Sequence, residues 1–200
     1  MNSTRIVIGL TGLYCSGKSF IESIFIENGY QTIDLDRIGH IALNKQKSII
    51  AERFGNHIIT DDGMINRKVL GNMVFGNKNK LALLNSIVHP VMIEMVNDII
   101  RNSSKKVIIN GALLFELGLH KLCKQILNVK SSFFRLVLRG IKRDNRSIIN
   151  ILRIIMSQKV NKLVKTNKKF VEIVTVWNND REKTRESVIK IIDSLGGISL

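Results

Sequence analysis

Gly12-Leu13-Tyr14-Cys15-Ser16-Gly17-Lys18-Ser19 sets four residues between two glycines and follows the second glycine with Lys and Ser. Its flanks give it a setting. Arg5–Leu10 (RIVIGL) before it is apolar and β-branched, the pattern of a buried strand. From Lys18 the period changes: Phe20, Ile21, Ile24 and Phe25 are apolar, Glu22, Ser23 and Glu27 are polar, and Asn28-Gly29 is a helix stop. A strand, a glycine loop and a helix in that order make a phosphate cradle. Gly12 and Gly17 let the backbone approach oxygen atoms closely, and the helix N-terminus adds unpaired N–H donors and partial positive charge. Lys18 is placed to reach β- and γ-phosphates, and Ser19 offers its hydroxyl to Mg²⁺. The backbone donors of Cys15, Ser16 and Phe20 are expected on the phosphates too. Cys15 itself reads as a tolerated loop residue, since no His or second Cys lies near it to activate a thiolate.

Working outward, Gln31–Asp34, Lys106–Ile109, Ile126–Val129 and Val171–Val176 read as further strands, with helical patterns between most of them. Strands separated by helices imply a mostly parallel sheet covered on both faces, an α/β fold of three layers. The stretch from about Ile38 to Arg101 is helical in pattern and too long for a simple crossover, so a lobe beside the sheet is expected. Arg135–Lys169 is a second helical stretch, rich in Arg and Lys, with Ser147 placed to cap a helix over Ile148–Ser157. It reads either as a basic flap or as a solvated helical pair. Its distal lysines, Lys159, Lys162, Lys165, Lys168 and Lys169, fit the solvated reading.

Asp34 and Asp36 close the second expected strand. In an extended chain they would face the same side with Cα atoms about 6.5 Å apart. At the carboxyl end of a strand beside the glycine loop they would enter the crevice where open α/β sheets bind ligands. One carboxylate could then hold Mg²⁺ through water while the other accepts a proton from an attacking hydroxyl. Capping of a helix from Arg37 onward is the structural alternative. Arg139 and Arg143 are spaced i, i+4, so on a helix both could meet the charge that spreads over a transferring phosphoryl group.

Composition narrows the class. The 200 residues are 44% hydrophobic and 24% charged, suited to one folded core rather than a disordered chain. Apolar stretches such as Val107–Ile109 and Ile148–Ile155 are short or broken by Asn and Arg, far below a bilayer span, and Met1–Leu10 has no secretory-leader pattern. Two cysteines, Cys15 and Cys123, are too few for a zinc motif or disulfide framework and suit a reducing compartment. The cytoplasm is therefore expected, with no membrane partner. Thirty-one basic against 16 acidic residues give a net charge of +15, attractive to any polyanion. Yet Lys and Asn recur along the chain, as in Asn44-Lys45-Gln46-Lys47 and Asn77-Lys78-Asn79-Lys80, which reads as compositional bias.

The order of motifs resembles the dephospho-CoA kinase family along nearly the whole chain. Gly9–Ser19 is similar to that family's GLTGGIGSGKS opening, and Thr32-Ile33-Asp34-Leu35-Asp36 to its V-I-D-A-D. Phe54-Gly55, Asp62-Gly63, Asn66-Arg67, Leu70 and Phe75 follow the order F-G, D-G, D-R, L, F. Val88-His89-Pro90 resembles L-H-P, Ala112–Glu116 resembles P-L-L-F-E, and Arg139 with Arg143-Asp144 and then Gln158 resembles a lid segment. Trp177-Asn178-Asn179 stands where the family has D-N-N or D-N-G.

The resemblance implies a P-loop NTPase fold of the nucleoside-monophosphate-kinase-like kind. It implies one domain over 1–200, with a core of about 1–37, 102–134 and 170–200, a helical acceptor lobe of about 38–101 and a lid of about 135–169. It implies ATP-dependent phosphorylation of the ribose 3′-hydroxyl of dephospho-CoA, with Mg²⁺. Asp36 becomes the general base, Asp34 a Mg²⁺ water-shell partner, Arg67, His89 and Pro90 acceptor-side residues, and Asn178 a seat for ATP near the adenine.

There are departures. Asn110-Gly111-Ala112 lacks an acid at the third strand and lacks the usual proline, Trp177 replaces an acid, and the basic residues after Gln158 are only Lys159 and Lys162. Another P-loop small-molecule or nucleotide kinase is the nearest alternative. A GTPase would need an Asp that the Asn-Lys pairs lack. A nucleic-acid-binding protein would leave the glycine loop unexplained and has few aromatics for stacking, 6% of the chain.

Overall fold

The computed structural model describes residues 6–144 and 147–196, so Arg5, the first residue of the first expected strand, lies outside the described residues. In chain order the elements are β1 (Val7–Gly12), α1 (Lys18–Glu27), β2 (Gln31–Asp34), α2 (Leu35–Lys45), α3 (Lys47–Phe54), α4 (Arg67–Val74), α5 (Lys78–Asn102), β3 (Val107–Asn110), β4 (Gln125–Lys130), α6 (Phe133–Asp144), α7 (Ile148–Ser157), α8 (Val160–Asn167), β5 (Glu172–Trp177) and α9 (Arg181–Gly196). They form two compact units: residues 34–102, and the remainder of the chain on either side of them.

The larger unit is built on a sheet of order β2-β3-β1-β4-β5. β1 runs parallel to β3 (Ile8 opposite Ile108) and to β4 (Leu10 opposite Leu127), and β4 parallel to β5 (Leu127 opposite Val174). Every residue of β1 and β3 is buried, which is why these strands read as continuous apolar runs rather than alternating ones. The main core joins Ile8 and Leu10 of β1 to Ile21, Ile24 and Phe25 of α1 and Val188 and Ile192 of α9. Truncating any of the fully buried members to Ala would cost about 2–5 kcal/mol. α1 ends where the sequence stops it: Gly29 takes φ 81°, the Tyr30 N–H returns to the Phe25 carbonyl at 3.1 Å, and the Tyr30 ring packs edge-on against Phe25.

In the 34–102 unit, α2 buries Leu35, Ile38 and Ala42, and α5 buries Val88, Met92 and Val96 at i, i+4, i+8. By length and composition alone the 25-residue α5 could cross a bilayer, its apolar residues being spread along the helix rather than gathered in one run. It packs instead against α2, α3 and α4. Pro90 lies inside this helix, where it removes one N–H from the ladder.

Candidate active site

β1 delivers its last residue, Gly12, to the glycine loop, and a Cβ there would stand 2.5 Å from the Val129 carbonyl of β4. Gly17, at φ 95°, caps α1, and a Cβ there would collide with Nδ2 of Asn178. Both glycines of the motif are therefore required by close approach, the second by backbone conformation as well. Cys15 also takes a left-handed conformation, φ 58°. Lys18 turns its Nζ onto the Gly12 and Leu13 carbonyls at 3.1 and 3.3 Å, and Ser19 is exposed in the first turn of α1. Of the backbone donors expected on phosphate, Ser16 N–H is bonded to the Leu13 carbonyl and Phe20 N–H to the Gly17 carbonyl, both at 3.1 Å. These two close the turn and start the helix. Among the described residues the buried Ser16 hydroxyl meets no hydrogen-bond partner.

The loop is gripped from far along the chain. Arg139 of α6 donates to the Ser16 carbonyl (3.1 Å), the Cys15 carbonyl (3.4 Å) and the Asn178 carbonyl (3.0 Å). Burial, and then the positive charges of Arg135 and Arg181, pull the Arg139 guanidinium below its ordinary range. Arg181 in turn covers the Phe20 ring at 5.1 Å. The result is a cationic cluster around a loop suited to phosphate. Asn178, 2% exposed at the end of β5, donates its Nδ2 to the Ser16 carbonyl at 3.0 Å. Its amide thus supports the loop from beneath. Arg135 and Arg181 went unnoticed in the sequence, as arginines scattered in a basic chain carry no signal until they share a neighbour.

A cavity of about 470 Å³ opens beside the loop, bounded by Leu13, Ser16, Lys130, Ser131, Trp177 and Lys168. Lys165 and Lys168, although exposed as the solvated reading held, line it. Ser147 caps α7 as expected, accepting from Asn150 N–H. At the end of β3, where an acid is missing, Asn110 donates to a carboxylate of α1, Glu22, at 2.8 Å.

The acid pair corrects its sequence reading. Asp34 is extended (φ −86°, ψ 110°), but α2 begins at Leu35, two residues earlier than Arg37, so Asp36 is already helical. The alternation of an extended chain cannot set their relative direction. Asp34 accepts from the Asp36 N–H (2.9 Å) and Arg37 N–H (3.4 Å), the capping role, and both aspartates are exposed. In the same unit Arg67 opens α4, its Nη1 2.5 Å from His40 Nε2, a partner the sequence did not suggest. His89 and Pro90 sit midway along α5.

A family model described as dephospho-CoA kinase matches residues 6–182. The chain belongs to the dephospho-CoA kinase family. A dephospho-CoA kinase from Borreliella burgdorferi is 34% identical over 191 residues, covering 90% of this chain and 88% of that relative. Among solved structures, a Thermus thermophilus protein superposes with TM-score 0.82 at 22% identity over 98% of this chain and 99% of its own. A Campylobacter jejuni dephospho-CoA kinase does so with TM-score 0.65 at 19% identity, covering 96% and 98%. These share the fold, a parallel five-stranded sheet of the P-loop kinase kind. Membership carries with it ATP-dependent phosphorylation of dephospho-CoA in coenzyme A synthesis.

Proposed function

We propose that this chain moves the γ-phosphoryl group of ATP onto the ribose 3′-hydroxyl of dephospho-CoA, giving coenzyme A and ADP. The observation that carries this reading is the glycine loop held in place by Arg139 and Asn178 at the mouth of a parallel sheet. Gly12, Cys15, Ser16, Gly17, Lys18, Ser19 and Phe20 are proposed to hold the triphosphate, with Lys18 swinging from loop carbonyls to the β- and γ-oxygens. Asn178 is proposed to act on ATP through the loop it supports.

Transfer breaks the bond between the γ-phosphorus and the β,γ-bridging oxygen and forms one to the ribose oxygen. Asp36 takes the hydroxyl proton, and Arg139 and Arg143 balance the charge that spreads over the moving group. The Ser19 hydroxyl, exposed in the first turn of α1, is a hard oxygen donor open to a cation, and Ser19 with Asp34 would hold Mg²⁺, which supplies neutralising charge when bound. The 34–102 unit is proposed as the acceptor lobe, with Arg67, His89 and Pro90 on the acceptor, and α6 to α8 as the lid. The single-domain layout is proposed in the same sense, with the lobe beginning at Asp34 rather than Ile38. Both cysteines are free thiols, and burial pushes the Cys123 thiol up to about 12, which suits work in the cytoplasm without a thiol role in transfer. No nucleic-acid or membrane partner is proposed.

The test is a panel of hydroxyl acceptors, dephospho-CoA, nucleoside monophosphates and small sugars, incubated with Mg-ATP and scored for phosphorylated product, beside a salt-titrated RNA-binding assay. Dephospho-CoA alone should give product. Turnover confined to another acceptor, or RNA binding without turnover, would overturn the proposal.

A further inference from the structure

The helical stretch α6–α8 grips three successive residues of the glycine loop, and the first of them has no role in the account above. Two contacts join Tyr14 to this stretch. Its backbone N–H donates to Oε1 of Gln158, the residue that closes α7, at 2.7 Å. Its ring lies under the guanidinium of Arg143, 4.8 Å from the ring centroid. Gln158 thus fixes the backbone from one end of the stretch while Arg143 covers the ring from the other.

The chemistry of the pair is directional. A guanidinium over an aromatic face is attracted by the ring quadrupole, and its planar fork then has a fixed orientation. Arg143 lies one helical turn beyond Arg139, whose own fork is already bonded to the Cys15 and Ser16 carbonyls.

We propose that Tyr14 is a positioning residue: its ring, anchored through the N–H contact to Gln158, holds Arg143 oriented over the loop before phosphoryl transfer. This rests on the reading of Arg143 as a transition-state arginine. Ring contact, rather than the phenolic hydroxyl, carries the effect.

The test is a kinetic cycle on the full-length chain with ATP and dephospho-CoA, using Tyr14→Leu, Tyr14→Phe, Arg143→Ala and the Tyr14→Leu/Arg143→Ala double variant. Tyr14→Leu should lower kcat about 10-fold, the scale of a cation–π contact, with KM for ATP changed less than about twofold. Tyr14→Phe should stay within about twofold of wild type, because it keeps the ring. In the Arg143→Ala background, Tyr14→Leu should cost less than about twofold more. The same 10-fold loss in both backgrounds, or a Phe variant as poor as the Leu variant, overturns the role of Tyr14. A wild-type kcat for Arg143→Ala overturns the reading of Arg143 on which it depends. Thermal midpoints of all four separate positioning from folding: a fall in Tm for Tyr14→Leu that the Phe variant shares counts against the proposal.

Discussion

The glycine loop and the N-terminus of α2 both bear groups assigned to phosphoryl transfer, yet they are held by opposite means. The loop is fixed by residues more than a hundred positions away: Arg139, Gln158 and Asn178 bond to its backbone at 2.7–3.4 Å. Asp34 and Asp36 are organised by their own helix, through bonds spanning two and three residues. The proposed phosphate site is therefore coupled to the packing of the larger unit, whereas the acid pair can exchange carboxylate for amide at little cost to the fold, since Asn caps a helix about as well as Asp. Substitutions that release the loop should disturb structure and transfer together, and Asp→Asn changes at the pair should separate them.

The largest effect is expected at Lys18. Lys18→Ala should leave less than about a tenth of wild-type transfer, since it removes the one lysine of the motif assigned to the β- and γ-phosphates. Residual activity above that level breaks the assignment of the loop. Next, Arg139→Ala and Asp36→Asn set the two regions against each other. Each should lower kcat by about 10²–10⁴-fold, but only the arginine variant should also lower Tm, because it alone removes donors from the Cys15, Ser16 and Asn178 carbonyls. Calorimetry beside kinetics decides it; a Tm loss for Asp36→Asn would erase the contrast.

The contrast also marks where the sequence was legible. The glycine loop, its strand and its helix were readable because each is a local pattern, and Gln31–Asp34 fell on β2 to the residue. The Ser147 cap was readable for the same reason. The Asp pair misled because one residue, Leu35, decides between strand and helix, and its burial at 0% suits either. The roles of Asn178 and Gln158 as loop supports depend on contacts across more than 140 positions, for which one sequence holds no signal. Family resemblance marked both positions without showing what they touch.

Smaller effects sharpen the picture. Asn178→Ala removes one of the two side-chain donors described on the Ser16 carbonyl, from a site 2% exposed, and should cost about 1–3 kcal/mol in denaturant unfolding, with a weaker fall in transfer than Arg139→Ala. A neutral result would mean that Arg139 and Gln158 suffice to hold the loop. Lys168→Ala, on the rim of the cavity and exposed, should change kcat and KM for ATP by less than about twofold. A tenfold rise in KM would make that lysine a nucleotide contact and extend the grip on phosphate to α8.

The central claim is regiospecific transfer, and the most direct measurement is phosphorus NMR of the product formed by the full-length chain from Mg-ATP and dephospho-CoA. The account predicts a single new phosphomonoester on the ribose 3′-oxygen, formed in step with ADP and absent with Lys18→Ala. A phosphoryl group elsewhere on the acceptor, or ADP released with no phosphorylated product, would contradict it.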